Sequence, residues 1–152
     1  MTRGGDKLDQ FQSVRARLAT ASVPGGTQVT LRVEVENRTP PGEPYYVVGD
    51  DPYGRYDGFL SLTMPEGARL LTTSRSDAVA AGPDGTNEVL AVPVVIAAGD
   101  TVGWRVSFYV PGDRDALTVG PSARVPHVEW WGPDGLRWND RDTPRQRVPF
   151  DP

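Results

Sequence analysis

Cysteine is absent from all 152 residues, which excludes disulfides, thiolate nucleophiles and cysteine-ligated zinc. Histidine occurs once, at His127, so neither an HExxH metal site nor a two-histidine mechanism can be built within this chain. Lysine also occurs once, at Lys7, and the remaining positive charge is arginine. No apolar run approaches the length of a membrane-spanning helix, and residues 1–6 lack the charged and apolar regions of a signal peptide. Positive charge is in the minority, with 16 Lys and Arg against 20 Asp and Glu for a net charge of −4. A generally basic nucleic-acid-binding domain is therefore not expected.

Turn formers are plentiful. The 17 Gly and 15 Pro chop the sequence into short segments, which disfavours an all-helical fold. The length suits one domain with a sizeable core, so residues 1–152 are expected to form a single unit. Residues 1–7 are expected to be an N-terminal extension and residues 141–152 a surface tail anchored by Val148 and Phe150.

The clearest periodicity lies at residues 27–37, where Val29, Leu31, Val33 and Val35 alternate with Thr30, Arg32, Glu34 and Glu36. Period 2 with β-branched residues predicts a strand buried on one face and solvated on the other. Residues 101–110 repeat it, with Val102, Trp104, Val106, Phe108 and Val110 on one side and Thr101, Gly103, Arg105, Ser107 and Tyr109 on the other. Further strands are predicted at 45–48, 59–64 and 88–96, the last carrying Pro93 and so expected at an edge or bulge. Ala-Ala-Gly-Asp at 97–100 predicts a hairpin joining 88–96 to 101–110. A second hairpin is predicted from 123–131 and 136–139 about Gly132-Pro-Asp-Gly135. Residues 11–20 alternate as a strand would, although Leu8, Phe11, Val14 and Leu18 also fit a helical stripe; the β surroundings favour the strand. Residues 68–81 read as a loop with a short strand or helical turn. The sum, seven or eight short strands with turns between them, is the pattern of an all-β antiparallel sandwich with a C-terminal hairpin and tail.

Two stretches, VTLRVEVENRTPPG (29–42) and IAAGDTVGWRVSFYVPG (96–112), with GGDKLDQF (4–11) ahead and PPGEPYYVVGD (40–50) between, resemble bacterial immunoglobulin-like surface domains. Their order is most similar to the C-terminal β-sandwich of large membrane-anchored actinobacterial envelope proteins of unknown function. The resemblance covers most of residues 4–111. It implies an immunoglobulin-like, extracytoplasmic, non-catalytic module of the cell envelope, with the N-terminal part of a larger protein lying ahead of it. It carries no catalytic residues over.

Few constellations suggest chemistry. His127 lies among Val125, Pro126 and Val128, and no nucleophile-elbow sequence surrounds any serine, so no catalytic site is expected. GDDPYGRYDG offers Asp50, Asp51 and Asp57 as oxygen ligands for Ca²⁺. The spacing departs from an EF-hand and Arg55 sits in the middle, so the expectation is no cofactor, with calcium as the alternative. Asn139, Asp140 and Asp142 form a weaker acidic group. The aromatic residues point to recognition instead: Tyr45, Tyr46, Tyr53 and Tyr56 cluster around one loop, and Trp130, Trp131 and Trp138 around the terminal hairpin. Such residues anchor protein partners or stack on sugar rings. The expected role is a spacer or protein-interaction domain, and the alternative is a carbohydrate-binding module for cell-wall polysaccharide. Arg137, Arg141, Arg145 and Arg147 are interleaved with Asp134, Asp140, Asp142 and Asp151, which reads as a solvated mixed-charge surface.

Overall fold

The computed structural model describes residues 7–49, 51, 53–122 and 127–150. A short 3-10 turn, Leu8–Phe11, leads into two long strands, β1 (Gln12–Val23) and β2 (Gly26–Asn37). After a one-turn helix, α1 (Tyr45–Val48), come β3 (Tyr56–Met64), β4 (Arg69–Thr73), β5 (Ala80–Asp84) and β6 (Asn87–Ile96). The chain closes with β7 (Thr101–Pro111), β8 (Ala116–Val119), β9 (Val128–Trp131), β10 (Arg137–Asn139) and β11 (Gln146–Pro149).

These strands make a six-stranded sheet in the order β10-β9-β1-β2-β7-β4, a three-stranded sheet β3-β6-β5 and a two-stranded ladder β11-β8. Pairing is antiparallel except between β1 and β9, which run parallel. The fold is all-β with sandwich-like packing. Alternation carries it: Val29, Leu31 and Val35 of β2 and Trp104, Val106, Phe108 and Val110 of β7 are all buried. Leu31 packs with Ala16 and Val128, and the others face Leu90, Val92, Val94 and Ile96 of β6 and Met64 of β3 across the interior. Among the described residues, no helix is long and apolar enough to cross a membrane.

Several expectations are corrected. Residues 88–96 and 101–110 do not form a hairpin. β6 pairs with β3 and β5, whereas β7 pairs with β2 and β4, so residues 97–100 carry the chain from one sheet to the other. Both strands present an apolar face, and burying the two faces against each other places them in opposite layers. The turn is bound to the end of β2, since Gly99 N–H donates to Asn37 O (2.7 Å) and Asn37 N–H to Asp100 O (3.0 Å).

Pro93 lies on the middle strand of its sheet, yet its missing donor is harmless. Val79 N–H donates to Ala91 O, so Ala91, and by alternation Pro93, direct their backbone groups toward the β5 side. β5 ends opposite Ala91, leaving Pro93 at a local edge.

Residues 45–48 form the helix α1 rather than a strand. A strand would bury one tyrosine with one valine. The helical turn instead buries Val47 and Val48 together and turns Tyr45 and Tyr46 outward. Pro44 O accepts Val47 N–H and Val48 N–H, and Gly49, at φ 69°, ends the turn by donating to Tyr45 O. Of residues 11–20, Phe11 closes the 3-10 turn and 12–20 are strand, within β1, and the loop at 68–81 contains β4 with a bulge at Leu70/Thr72. The second hairpin forms as expected between β9 and β10, although residues 123–126 lie outside the described part. The C-terminal residues do more than cover the surface: β11 pairs with β8 and sinks Val148 fully into the main core, with Phe150 packed against it.

Candidate functional site

The loop between β2 and β3 stands at one end of the sandwich on a polar hub. Asn37, fully buried at the end of β2, donates from Nδ2 to Gly54 O (2.8 Å) and Ile96 O (2.9 Å). Its Oδ1 accepts from Gln12 Nε2 (3.1 Å), Thr39 N (3.1 Å) and Thr39 Oγ1 (2.6 Å). One amide thus ties together the start of β1, the end of β6 and both arms of the loop. Gly54 is required for this closure: at φ +68° its Cβ would lie 2.6 Å from Thr39 Cγ2. Lys7 N–H donates to Val47 O and, with buried Val47 and Val48, pins α1 from beneath.

On this anchored loop Tyr45, Tyr46 and Tyr53 are 72 %, 67 % and 85 % exposed. Lys7 Nζ lies 5.5 Å from the Tyr46 ring centroid, a cation–π distance. Tyr56 does not join this surface. It is only 6 % exposed, sits in the smaller core cluster with Leu8 and Ile96, and its hydroxyl donates to Asp9 Oδ1 (3.2 Å).

The tryptophans divide likewise. Trp130 and Trp138 are cross-strand partners whose rings stack at 5.4 Å with 4° between planes, and both pack against the main core. Both are half-buried, with the stacked faces turned toward each other rather than displayed to solvent. Trp131, one residue on, takes the opposite face, where the Arg17 guanidinium lies 5.4 Å from its ring centroid. Together with Arg15, Arg32, Glu34 and Glu129, these two residues line a shallow trough of about 480 Å³ on the solvated face of the six-stranded sheet. At its upper end Glu36 accepts from Arg38 (2.7 Å) and lies 3.8 Å from Arg15. The Arg38 hydrogen bond holds the Glu36 carboxyl below the ordinary glutamate range.

The aspartates have other partners. Asp50 lies outside the described residues. Asp51 pairs with Arg55 (3.0 Å) and accepts Tyr53 N–H (3.0 Å), and half-buried Asp57 lies on β3. Among the described residues no group of three or more His, Asp or Glu side chains is placed to hold a metal ion. Asp140 is buried, and its carboxylate accepts Val128 N–H (2.8 Å) and Ser122 N–H (2.7 Å), stitching the segment before β9 to the end of β10. Asp140→Ala should lower stability by about 2–3 kcal/mol, since it orphans two backbone donors that now meet a charged acceptor. Urea unfolding checks this, and a loss under about 0.5 kcal/mol would contradict the structural role. Asn139 Oδ1 accepts Arg141 N–H, His127 is exposed, and Arg147 is paired with Asp115.

Sequence reasoning did not single out Arg15, Arg17, Arg32 and Arg105. Their positions on the polar phase of strands were legible, but their meeting on one face depends on strand order and register. In comparison with known proteins, the chain matches no family model and no curated protein.

Proposed function

We propose that this chain is a non-catalytic interaction module that meets a protein partner with the tyrosine-bearing loop at one end of its β-sandwich. The observation that carries the reading is the outward display of Tyr45, Tyr46 and Tyr53 on a loop held from below by Val47, Val48 and the Asn37 hub. Exposing three large aromatics is unfavourable in isolation, and covering them returns roughly 1.5–3 kcal/mol per large apolar side chain. Rigid tyrosines lose little conformational entropy on binding, which is why they serve so well in loop paratopes. The resemblance at residues 29–42 and 96–112 supports placing such a module outside the cytoplasm, as an immunoglobulin-like domain of an actinobacterial envelope protein.

The same three rings support a second reading, stacking on cell-wall polysaccharide. The two are separated by one set of variants. Replacing Tyr45, Tyr46 and Tyr53 together by serine should abolish recovery of a specific protein from envelope extracts while leaving Tm unchanged within a few degrees. Calorimetric titration with cell-wall polysaccharides should then show no heat with either form. Glycan binding lost in the variant would instead establish the carbohydrate reading. Protein capture indifferent to the three substitutions would defeat the role given to the loop.

A further inference from the structure

The six-stranded sheet carries an unusual line of charge on its solvated face, away from the tyrosine loop. Strand register sets Arg137 opposite Trp131, Trp131 beside Arg17, Arg17 opposite Arg32 and Arg32 opposite Arg105. All four arginines are exposed. At about 4.8 Å per strand the line crosses five strands and spans about 19 Å. Like charges placed directly opposite one another in a sheet repel, and here three arginines are consecutive in a protein whose net charge is −4.

Within the described residues no ion pair is formed by any arginine of the row; the ion pairs there involve Arg15, Arg38, Arg55, Arg75 and Arg147. Arg32 is the wall shared by two depressions: the Trp131 trough, and one of about 320 Å³ floored by Gly103 and bordered by Arg105 and Ser74. A locally unfavourable row of exposed arginines, without ion pairs among the described residues, is what a binding surface requires.

We infer that this face docks a polypeptide partner that presents carboxylates to the Arg17–Arg32–Arg105 row and an apolar side chain to Trp131. Charge complementarity argues for a polypeptide over a continuous polyanion. The adjacent row reads Asn139, Glu129, Arg15, Glu34 and Gly103 across the same strands. Its two glutamates flank the arginines and repel a phosphate or uronate chain, whose charges lie on every unit. A polypeptide can set carboxylates against the arginines and neutral groups against the glutamates. Arginine forks bind carboxylates bidentately, and tryptophan with arginine are the side chains most often dominant at protein interfaces. Arg17 also covers one face of the Trp131 ring, leaving less of it for a sugar to stack on.

The test uses a fluorescent peptide with glutamate at every second position and serine or leucine between, compared with inorganic polyphosphate and polygalacturonate. Saturable anisotropy change that weakens with added salt is expected for the peptide. The triple variant R17A/R32A/R105A should weaken binding about tenfold or more, and Trp131→Ala should weaken it too. The serine variants of Tyr45, Tyr46 and Tyr53 should bind the peptide as wild type does. Absence of saturable peptide binding, or indifference to the triple variant, would overturn the inference. Tighter arginine-dependent binding of polyphosphate or polygalacturonate would overturn it in favour of a polyanion site. A stability control keeps the variants interpretable: Arg32→Thr relieves repulsion and should raise Tm by about 1–3 °C. A clear fall would mean that the row supports the fold instead, and would also overturn the inference.

Discussion

Asn37→Ala is expected to destabilise this protein by about 3–5 kcal/mol. Truncation strands the Gly54 and Ile96 carbonyls that Nδ2 now satisfies, together with the Thr39 and Gln12 donors that converge on Oδ1. An unsatisfied buried group costs about 1–3 kcal/mol, and partial relaxation of the loop keeps the total below a simple sum. Asn37→Asp is expected to be no better, because an oxygen would replace Nδ2 against two carbonyl acceptors. Urea denaturation followed by tryptophan fluorescence measures both. A loss below about 1 kcal/mol for Asn37→Ala would show that the hub carries little of the load. Since the same amide holds the tyrosine loop, partner capture should fall in these variants even at temperatures where they remain folded.

Trp104→Ala should cost about 3–5 kcal/mol through loss of buried apolar area and the cavity left behind. The indole is only 3 % exposed, lies on β7 within the main core, and donates from Nε1 to Thr73 Oγ1 (2.9 Å), so it also fastens β4 to the sheet. Trp104→Phe separates the two contributions. It keeps most of the packing and loses the hydrogen bond, for an expected change of about 1–2 kcal/mol. Thr73 Oγ1 retains its contacts with Arg75 in that variant, which limits the penalty. Equal losses in the two variants would place the weight on the hydrogen bond rather than on the cavity.

How far the fold was legible depended on the range of the interaction. The strands at 26–37 and 101–111 and their buried faces follow from side-chain alternation, a property of each segment alone. The β9–β10 hairpin was legible because its turn chemistry is local. The expected hairpin at 97–100 was not, because a Gly-Asp turn between two amphipathic strands serves a hairpin and a sheet-to-sheet crossing equally well. Residues 45–48 misled for a related reason. Their aromatic and β-branched residues favour a strand on propensity, but burying both valines beneath the loop outweighed it.

The candidate site divides along the same line. Tyr45, Tyr46 and Tyr53 cluster in the sequence and are exposed, whereas Tyr56, Trp130 and Trp138 cluster just as closely and pack against the core. The arginine row was invisible in the sequence, since its members lie at positions 17, 32, 105 and 137.

By itself the sequence determined that this is an all-β chain and which side of each principal strand avoids water, because those outcomes depend on residues two apart. Only the tertiary structure decided which strands became neighbours, and hence which aromatics were covered and which arginines were aligned. Those choices rest on burial and register between segments distant in the chain, where the energy resides in the pairing and in neither partner alone.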